Sequence, residues 1–245
     1  MRPPVSTTAE YTVRDQERMR LADRYFQWQA DLAAAALGRR VVEIGCGLGN
    51  FTEHLLDRDI VIATDIEPPC TERLAARYPN RANLVIQTLD VMDPAFPSLA
   101  RHEPDSIVCL NVLEHVEDDA LALRHMHGIL PSGGKVVLIV PAFESLHGPI
   151  DRLLGHYRRY SRRSMRQLAA ATGFRVTTLR FMNTVGFFGW WVNAHIFRRT
   201  EQSEAQIRVF DRYIVPLLRR VETALPPPFG QSLFVVLEKG APPAQ

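Results

Sequence analysis

Val41-Val42-Glu43-Ile44-Gly45-Cys46-Gly47-Leu48-Gly49-Asn50-Phe51 joins a short apolar run to a glycine-rich turn and then to the start of a helix. Glycines at 45, 47 and 49 let the backbone bend sharply and approach a ligand where a Cβ would collide, and Asn50 with Glu53 three residues on reads as a capping box. The dinucleotide fingerprint wants glycine at the first, third and sixth positions, whereas the sixth here is Asn50 and the fifth is Gly49, which argues against a pyrophosphate ligand. Asp65 closes the next apolar run, Val61-Ile62-Ala63-Thr64-Asp65-Ile66, about 20 residues beyond Gly45, where an acceptor for a ribose diol belongs.

Outward from this stretch, apolar runs at about 40–44, 60–64, 84–88, 106–110 and 135–140 alternate with helical stretches. That alternation implies a doubly wound α/β fold, a mostly parallel sheet covered by helices on both faces. Runs at about 174–181 and 232–238 bring the strands to seven. Upstream, Met19, Ala22, Phe26, Ala30, Ala33 and Leu37 recur at helical spacing and predict one amphipathic helix from Asp15 to Leu37, closed by Gly38. Residues 1–14 are polar and proline-bearing, and 1–38 read as a lid ahead of a main domain over 39–245. Tyr11, Tyr25 and Trp28 are open to two readings, part of a cover or simply packed. A helix at roughly 118–130 precedes the turn Pro131-Ser132-Gly133-Gly134, and Ser161 caps another that Gly173 ends.

Net charge is only +2, so no global field recruits nucleic acid. Three cysteines, Cys46, Cys70 and Cys109, form neither a paired framework nor a metal spacing. The first residues lack a charged and apolar signal segment, and a cytoplasmic location is expected.

The motifs resemble those of the class I S-adenosylmethionine-dependent methyltransferases. Their Glu-x-Gly-x-Gly-x-Gly stretch matches Glu43 to Gly49, Leu89-Asp90-Val91 fits the segment whose acid meets the adenine amino group, and Cys109 to Val116 fits the strand end and loop that line the cofactor. The resemblance implies a Rossmann-like sheet whose last strand is antiparallel beside the sixth. It also implies S-adenosylmethionine as cofactor, held by Glu43, Gly45, Cys46, Gly47, Gly49, Asp65, Ile66, Asp90, Val91, Asn111 and Val112. Glu114-His115 resembles an acid–histidine pair that some quinol methyltransferases use with a divalent ion, but Asn111 stands where a second glutamate would be; no metal is expected.

After the fifth strand, residues 141–161 crowd His147, Asp151, His156, Tyr157, Arg158, Arg159 and Tyr160 together with glycines. Such a mix at the cofactor edge of a sheet reads as a substrate loop, against a solvated basic loop. Its Gly-His-Tyr-Arg-Arg-Tyr string resembles a methyltransferase subgroup associated with glycosyl and polyprenyl-lipid metabolism. His156, Asp151, His115, His147 and Arg158 are the candidates for base or orienting group, and methyl transfer to a small or lipid-linked acceptor, on O or N, is the expected reaction. A cofactor-binding regulatory subunit without catalysis is the alternative; the intact glycines and acids weigh against it.

Between strands six and seven lies a helical insertion, 182–228, too long for a simple connection. Residues 181–199 carry Phe187, Phe188, Trp190, Trp191 and Phe197, with Asn183, Asn193 and His195 interrupting and Arg198-Arg199 at the end. The stretch is too short and polar to span a bilayer and reads as a wall over the substrate pocket or as a helix lying on a membrane surface. The second half is helical in period through Phe210, Ile214, Leu217, Leu218, Val221 and Leu225, with a kink expected at Pro216.

Overall fold

The computed structural model describes residues 14, 16–192 and 203–240. Seven strands, β1 (Arg40–Ile44), β2 (Ile60–Asp65), β3 (Leu84–Thr88), β4 (Ser106–Leu110), β5 (Lys135–Pro141), β6 (Phe174–Met182) and β7 (Ser232–Lys239), form one sheet in the order 3-2-1-4-5-7-6. β1 to β5 are parallel. β7 runs antiparallel between β5 and β6. The predicted strands therefore all form, within one or two residues of their expected ends.

Alternation along each central strand divides the core in two. Val42, Ile44, Ile62, Ile107, Val136, Leu138 and Val235 face the helices α3 (Asp119–Ile129) and α5 (Arg162–Ala171). Val41, Val61, Val108, Val137, Ile139 and Phe234 face α1 (Asp23–Ala33) and α8 (Val215–Ala224). Asp118 caps α3 by accepting from the Leu121 N–H, and Ser161 caps α5 by accepting from that of Ser164. α2 (Pro68–Arg77) and α4 (Pro149–Leu154) complete the helices of the parallel half.

Three expectations need correction. The single helix from Asp15 to Leu37 is instead broken by a turn at Arg20 and Leu21, and α1 begins at Asp23. The cause is a partner from far along the chain: the Asp211 carboxylate accepts from the backbone N–H groups of Arg24 and Tyr25 and so supplies the start of α1 with a cap. The Asn50/Glu53 capping box does not form. Asn50 donates to the Gln16 carbonyl, Glu53 pairs with Arg77, and only a four-residue 3₁₀ turn, Thr52–Leu55, follows the glycines. Ahead of Pro216 the helix does not simply kink: a π-turn, Phe210–Ile214, links α7 (Glu204–Val209) to α8. Trp28 is fully buried, with Tyr25 edge-on to it at 6.0 Å, so both are packing residues. Tyr11 and residues 1–13, with 15, lie outside the described residues.

In the insertion, α6 (Thr184–Val192) is held at its first turn by Glu222 of α8, whose carboxylate accepts from the N–H groups of Asn183 and Thr184. Residues 193–202, including Asn193, His195, Phe197, Arg198 and Arg199, lie outside the described residues. Among the described residues no helix is long and apolar enough to cross a membrane.

Candidate active site

The strand order reverses between β1 and β4, and in open parallel sheets ligands bind outside the carboxyl ends of the strands at such a point. Gly45, Gly47 and Gly49 all take positive φ. A Cβ on Gly45 would lie 2.2 Å from Val112 Cγ2, so this glycine lets the loop after β4 close on the turn after β1. Cys46 is buried and its side chain packs with Ala63 and Leu74, leaving only its backbone toward the crevice. Glu43 is buried beneath the turn, where Thr52 donates to its carboxylate at 2.6 Å.

Asp65, at the end of β2, accepts from the Gly47 N–H at 2.7 Å on one oxygen and from the Glu67 N–H at 3.0 Å on the other. Each oxygen keeps a lone pair for a further donor. Beside it Ile66 is 59% exposed, an apolar side chain left open at a polar edge. Asp90 and Asn111 are exposed, Asn111 with φ +53; Val112 is half-buried, and Val91 turns its side chain into the core.

The loop after β5 is built around Asp151, which is fully buried. Its carboxylate accepts from His156 Nδ1 at 2.8 Å, the Gly148 N–H at 2.8 Å, Arg159 Nε at 2.8 Å, Arg159 Nη2 at 2.7 Å and Trp190 Nε1 at 3.3 Å. Burial alone would raise its pKa, but the His156 hydrogen bond and the Arg159 charge outweigh it and hold the carboxyl well below the usual range. The His156 ring meets that of His115, from the loop after β4, edge-on at 4.6 Å. His147 borders the same point, its Nε2 3.5 Å from the His156 carbonyl.

Arg158 does not join them. It pairs with Asp119 at 2.7 Å and donates to the Glu117 carbonyl, while the neighbouring Arg159 takes the inward place that sequence analysis did not assign to it. Arg159 is stacked over the Trp190 ring at 5.1 Å, which ties α6 to the cluster. Beyond them Phe143 and Phe181 stack at 4.9 Å, Phe187 packs on Phe143, and Phe229 on Phe187, forming an aromatic wall.

Glu114 is buried, and its Oε2 has no hydrogen-bond partner among the described residues. Burial pushes its carboxyl up to about 8. Its carboxylate oxygen and ring nitrogens of His115 and His156 lie within 4.8 Å of one another, as do ligand atoms of Asp23, Glu53 and His54. The expectation of no metal counted two ligands, Glu114 and His115; the fold brings up His156 as a third. A carboxyl that binds its proton more tightly folded than unfolded favours folding below its unfolded pKa, and that contribution is lost as pH rises toward the folded value. For Glu114 the window is 4.5 to about 8. Glu114→Gln should therefore gain in melting temperature over the parent as pH rises across this window. A constant difference would show that Glu114 is ionised throughout.

The family described as "Methyltransferase domain" matches residues 16–179, which hold the glycine turn, Asp65, Asp90, Asn111, Glu114, His115 and the loop with Asp151 and His156. The chain belongs to this methyltransferase family. An uncharacterized methyltransferase of Exiguobacterium sibiricum is 33% identical over 137 residues, 55% of this chain and 60% of that protein. A ubiquinone biosynthesis O-methyltransferase of Aeromonas salmonicida is 31% identical over 114 residues, 45% of this chain and 47% of its own length. The chain spans about half the length of the curated relatives it matches. Among solved structures, a Haloferax volcanii methyltransferase in complex with the Trm112 activator superposes with a TM-score of 0.65 at 17% identity, over 96% of this chain and 97% of that one. The N-methyltransferase NodS of Bradyrhizobium japonicum, bound to S-adenosylhomocysteine, gives 0.52 at 16% identity over 93% and 86%.

The family's cofactor is S-adenosylmethionine, and the residues present fit it. The glycine turn offers backbone without side chains, Asp65 keeps acceptor capacity at the end of β2, and Ile66 presents an open apolar surface beside it.

Proposed function

We propose that the protein transfers the methyl group of S-adenosylmethionine to a hydroxyl, or to a protonated amine, of an apolar acceptor that is small or lipid-linked, with His156 as the base. The observation that carries this reading is the Asp151–His156 hydrogen bond, set in a loop that meets the loop after β4 and the aromatic wall of α6. Asp65 would hold the ribose hydroxyls, Asp90 the adenine amino group, and the backbone of Gly45 to Gly49, with Asn111 and Val112, the remainder. When bound, the cofactor supplies an electrophilic methyl group on a sulfonium. Asp151 fixes His156 through Nδ1, so Nε2 is the nitrogen left to take the acceptor's proton. Trp190 and the phenylalanines exclude water and orient an apolar acceptor, and orientation with exclusion of water supplies much of the rate in such a displacement. Phe187 and Trp190 favour the pocket-wall reading of 181–192.

Labelled-methyl transfer into extracts and into phenolic and lipid-linked acceptors, with products identified by mass spectrometry, tests this. Tight binding of S-adenosylhomocysteine without transfer to any acceptor would favour the regulatory-subunit reading. Asp65→Ala should weaken S-adenosylmethionine by roughly 1.5 to 3 kcal/mol, the scale of hydrogen bonds to a charged group, as read by calorimetry. An unchanged dissociation constant would remove Asp65 from the site.

A second reading has a specific observation behind it, the unpartnered Glu114 Oε2 beside His115 and His156. A divalent ion there would occupy His156, and the base would have to be another group. Full turnover after dialysis against a chelator is the expected result. Loss of turnover restored by one divalent metal would establish the second reading instead.

A further inference from the structure

Val209, Tyr213, Leu217, Val221 and Leu225 form an apolar stripe along α7, the π-turn and α8, exposed by 54, 65, 64, 53 and 73%. The opposite side of the same rod, Ile207, Asp211, Val215, Leu218 and Glu222, is the buried one. The core is thus already served, and the outer stripe is surplus to it, on a face that is polar in an ordinary surface helix. Residues four apart drift around an α-helix; the π-turn at Phe210–Ile214 turns less per residue and offsets that drift, so the five side chains keep to one side.

Charge around the stripe has one dominant sign. Arg208, Arg212, Arg219 and Arg220 are exposed, whereas two of the three acids between 204 and 225, Asp211 and Glu222, point inward and hold the first turns of α1 and α6. Arg212 lies over the Tyr213 ring at 5.5 Å, and Arg219 pairs with Asp31 at the edge of α1. An apolar stripe with a tyrosine, flanked by arginines, has the chemistry of a helix lying in the headgroup region of an anionic bilayer. A second copy of the chain fits less well. A two-fold contact would set arginines against arginines, and five side chains a little over half exposed give a few hundred Å², short of the roughly 800 Å² per partner of a stable interface.

We propose that the outer face of α7 and α8 docks on anionic lipid through Val209, Tyr213, Leu217, Val221 and Leu225, with Arg212 and Arg220 meeting the phosphates, while Arg208 is paired with Glu204. This surface lies apart from the Asp151–His156 site and its role does not depend on methyl transfer. If the acceptor is lipid-linked, docking would bring the insertion that carries the aromatic wall to the surface where such an acceptor resides.

The experiment is co-sedimentation of the full chain with vesicles of phosphatidylcholine alone and of phosphatidylcholine with phosphatidylglycerol. Binding to the anionic vesicles only, weakening with salt, is expected. Leu217→Glu with Val221→Glu should reduce it by about tenfold or more, and Arg212→Ala with Arg220→Ala should reduce it and flatten its salt dependence. Both pairs lie on the surface and should leave the melting temperature and the affinity for S-adenosylhomocysteine unchanged, which separates failure of docking from failure of the catalytic site. Absence of binding to anionic vesicles, or equal binding by the glutamate pair, overturns the proposal. So does gel filtration showing a dimer that the glutamate pair disperses, which would assign the stripe to a second copy.

Discussion

Replacing His156 by alanine should lower turnover by about 100-fold or more, the usual cost of losing a general base, while S-adenosylmethionine affinity stays nearly unchanged. The separation of the two effects follows from position. His156 sits in the loop after β5, bound to Asp151 and edge-on to His115, whereas the glycine turn, Asp65 and Asp90 belong to the loops after β1, β2 and β3. Turnover with the acceptor found by labelled transfer, together with calorimetry of the cofactor, reads both quantities. The His156→Gln variant sharpens the test, since an amide keeps a donor toward Asp151 but cannot take up a proton at neutral pH. Comparable turnover in the glutamine variant would assign His156 to orientation. Equal loss of cofactor binding and turnover would make this loop a cofactor cover and move the search for a base to His115 or His147, both of which border His156.

The sheet was legible because its signals are local. A buried strand needs only a run of apolar residues, and a turn needs glycine where φ is positive, so Val41 to Gly49 could be placed without knowing what packs on them. Helix ends were less legible. α1 starts at Asp23 because Asp211 caps it through Arg24 and Tyr25, 187 and 186 residues away along the chain, a relation with no local trace. The Asn50/Glu53 pattern had the right spacing, yet Gln16 and Arg77 claimed both side chains. In the candidate site, the gathering of His147, Asp151 and His156 was readable from composition. The choice between Arg158 and Arg159 was not, because adjacent residues in an irregular loop point in different directions that only the fold decides. One signal was available: Asp119, at the start of the helix after β4, is an acid that one of the two arginines could reach, as Arg158 does.

Asp151→Ala should lower stability by about 3 to 5 kcal/mol, the cost of leaving a buried charge without its partner. The stranded group is Arg159, whose side chain is 1% exposed and whose Nε and Nη2 both donate to Asp151. One further donor bond, from Nη1 to the Ala142 carbonyl at 3.2 Å, cannot compensate a full charge in that setting. For a chain of this size the loss corresponds to a fall of roughly 6 to 20 °C in melting temperature. Turnover should fall as well, since His156 loses the group that fixes its ring, but a destabilised protein would also turn over less. The double variant Asp151→Leu with Arg159→Met tells the two apart. Exchanging a buried ion pair for apolar side chains of similar volume is often neutral, but the Gly148 N–H, His156 Nδ1 and Trp190 Nε1 lose their acceptor. This variant should therefore regain only the part of the melting temperature lost through the stranded Arg159 charge. Its turnover should stay low, because no carboxylate remains on His156 Nδ1. Recovery of both would mean that Asp151 serves only to neutralise Arg159 and that His156 works unaided. A single variant that loses less than about 1 kcal/mol would contradict the burial of the pair itself.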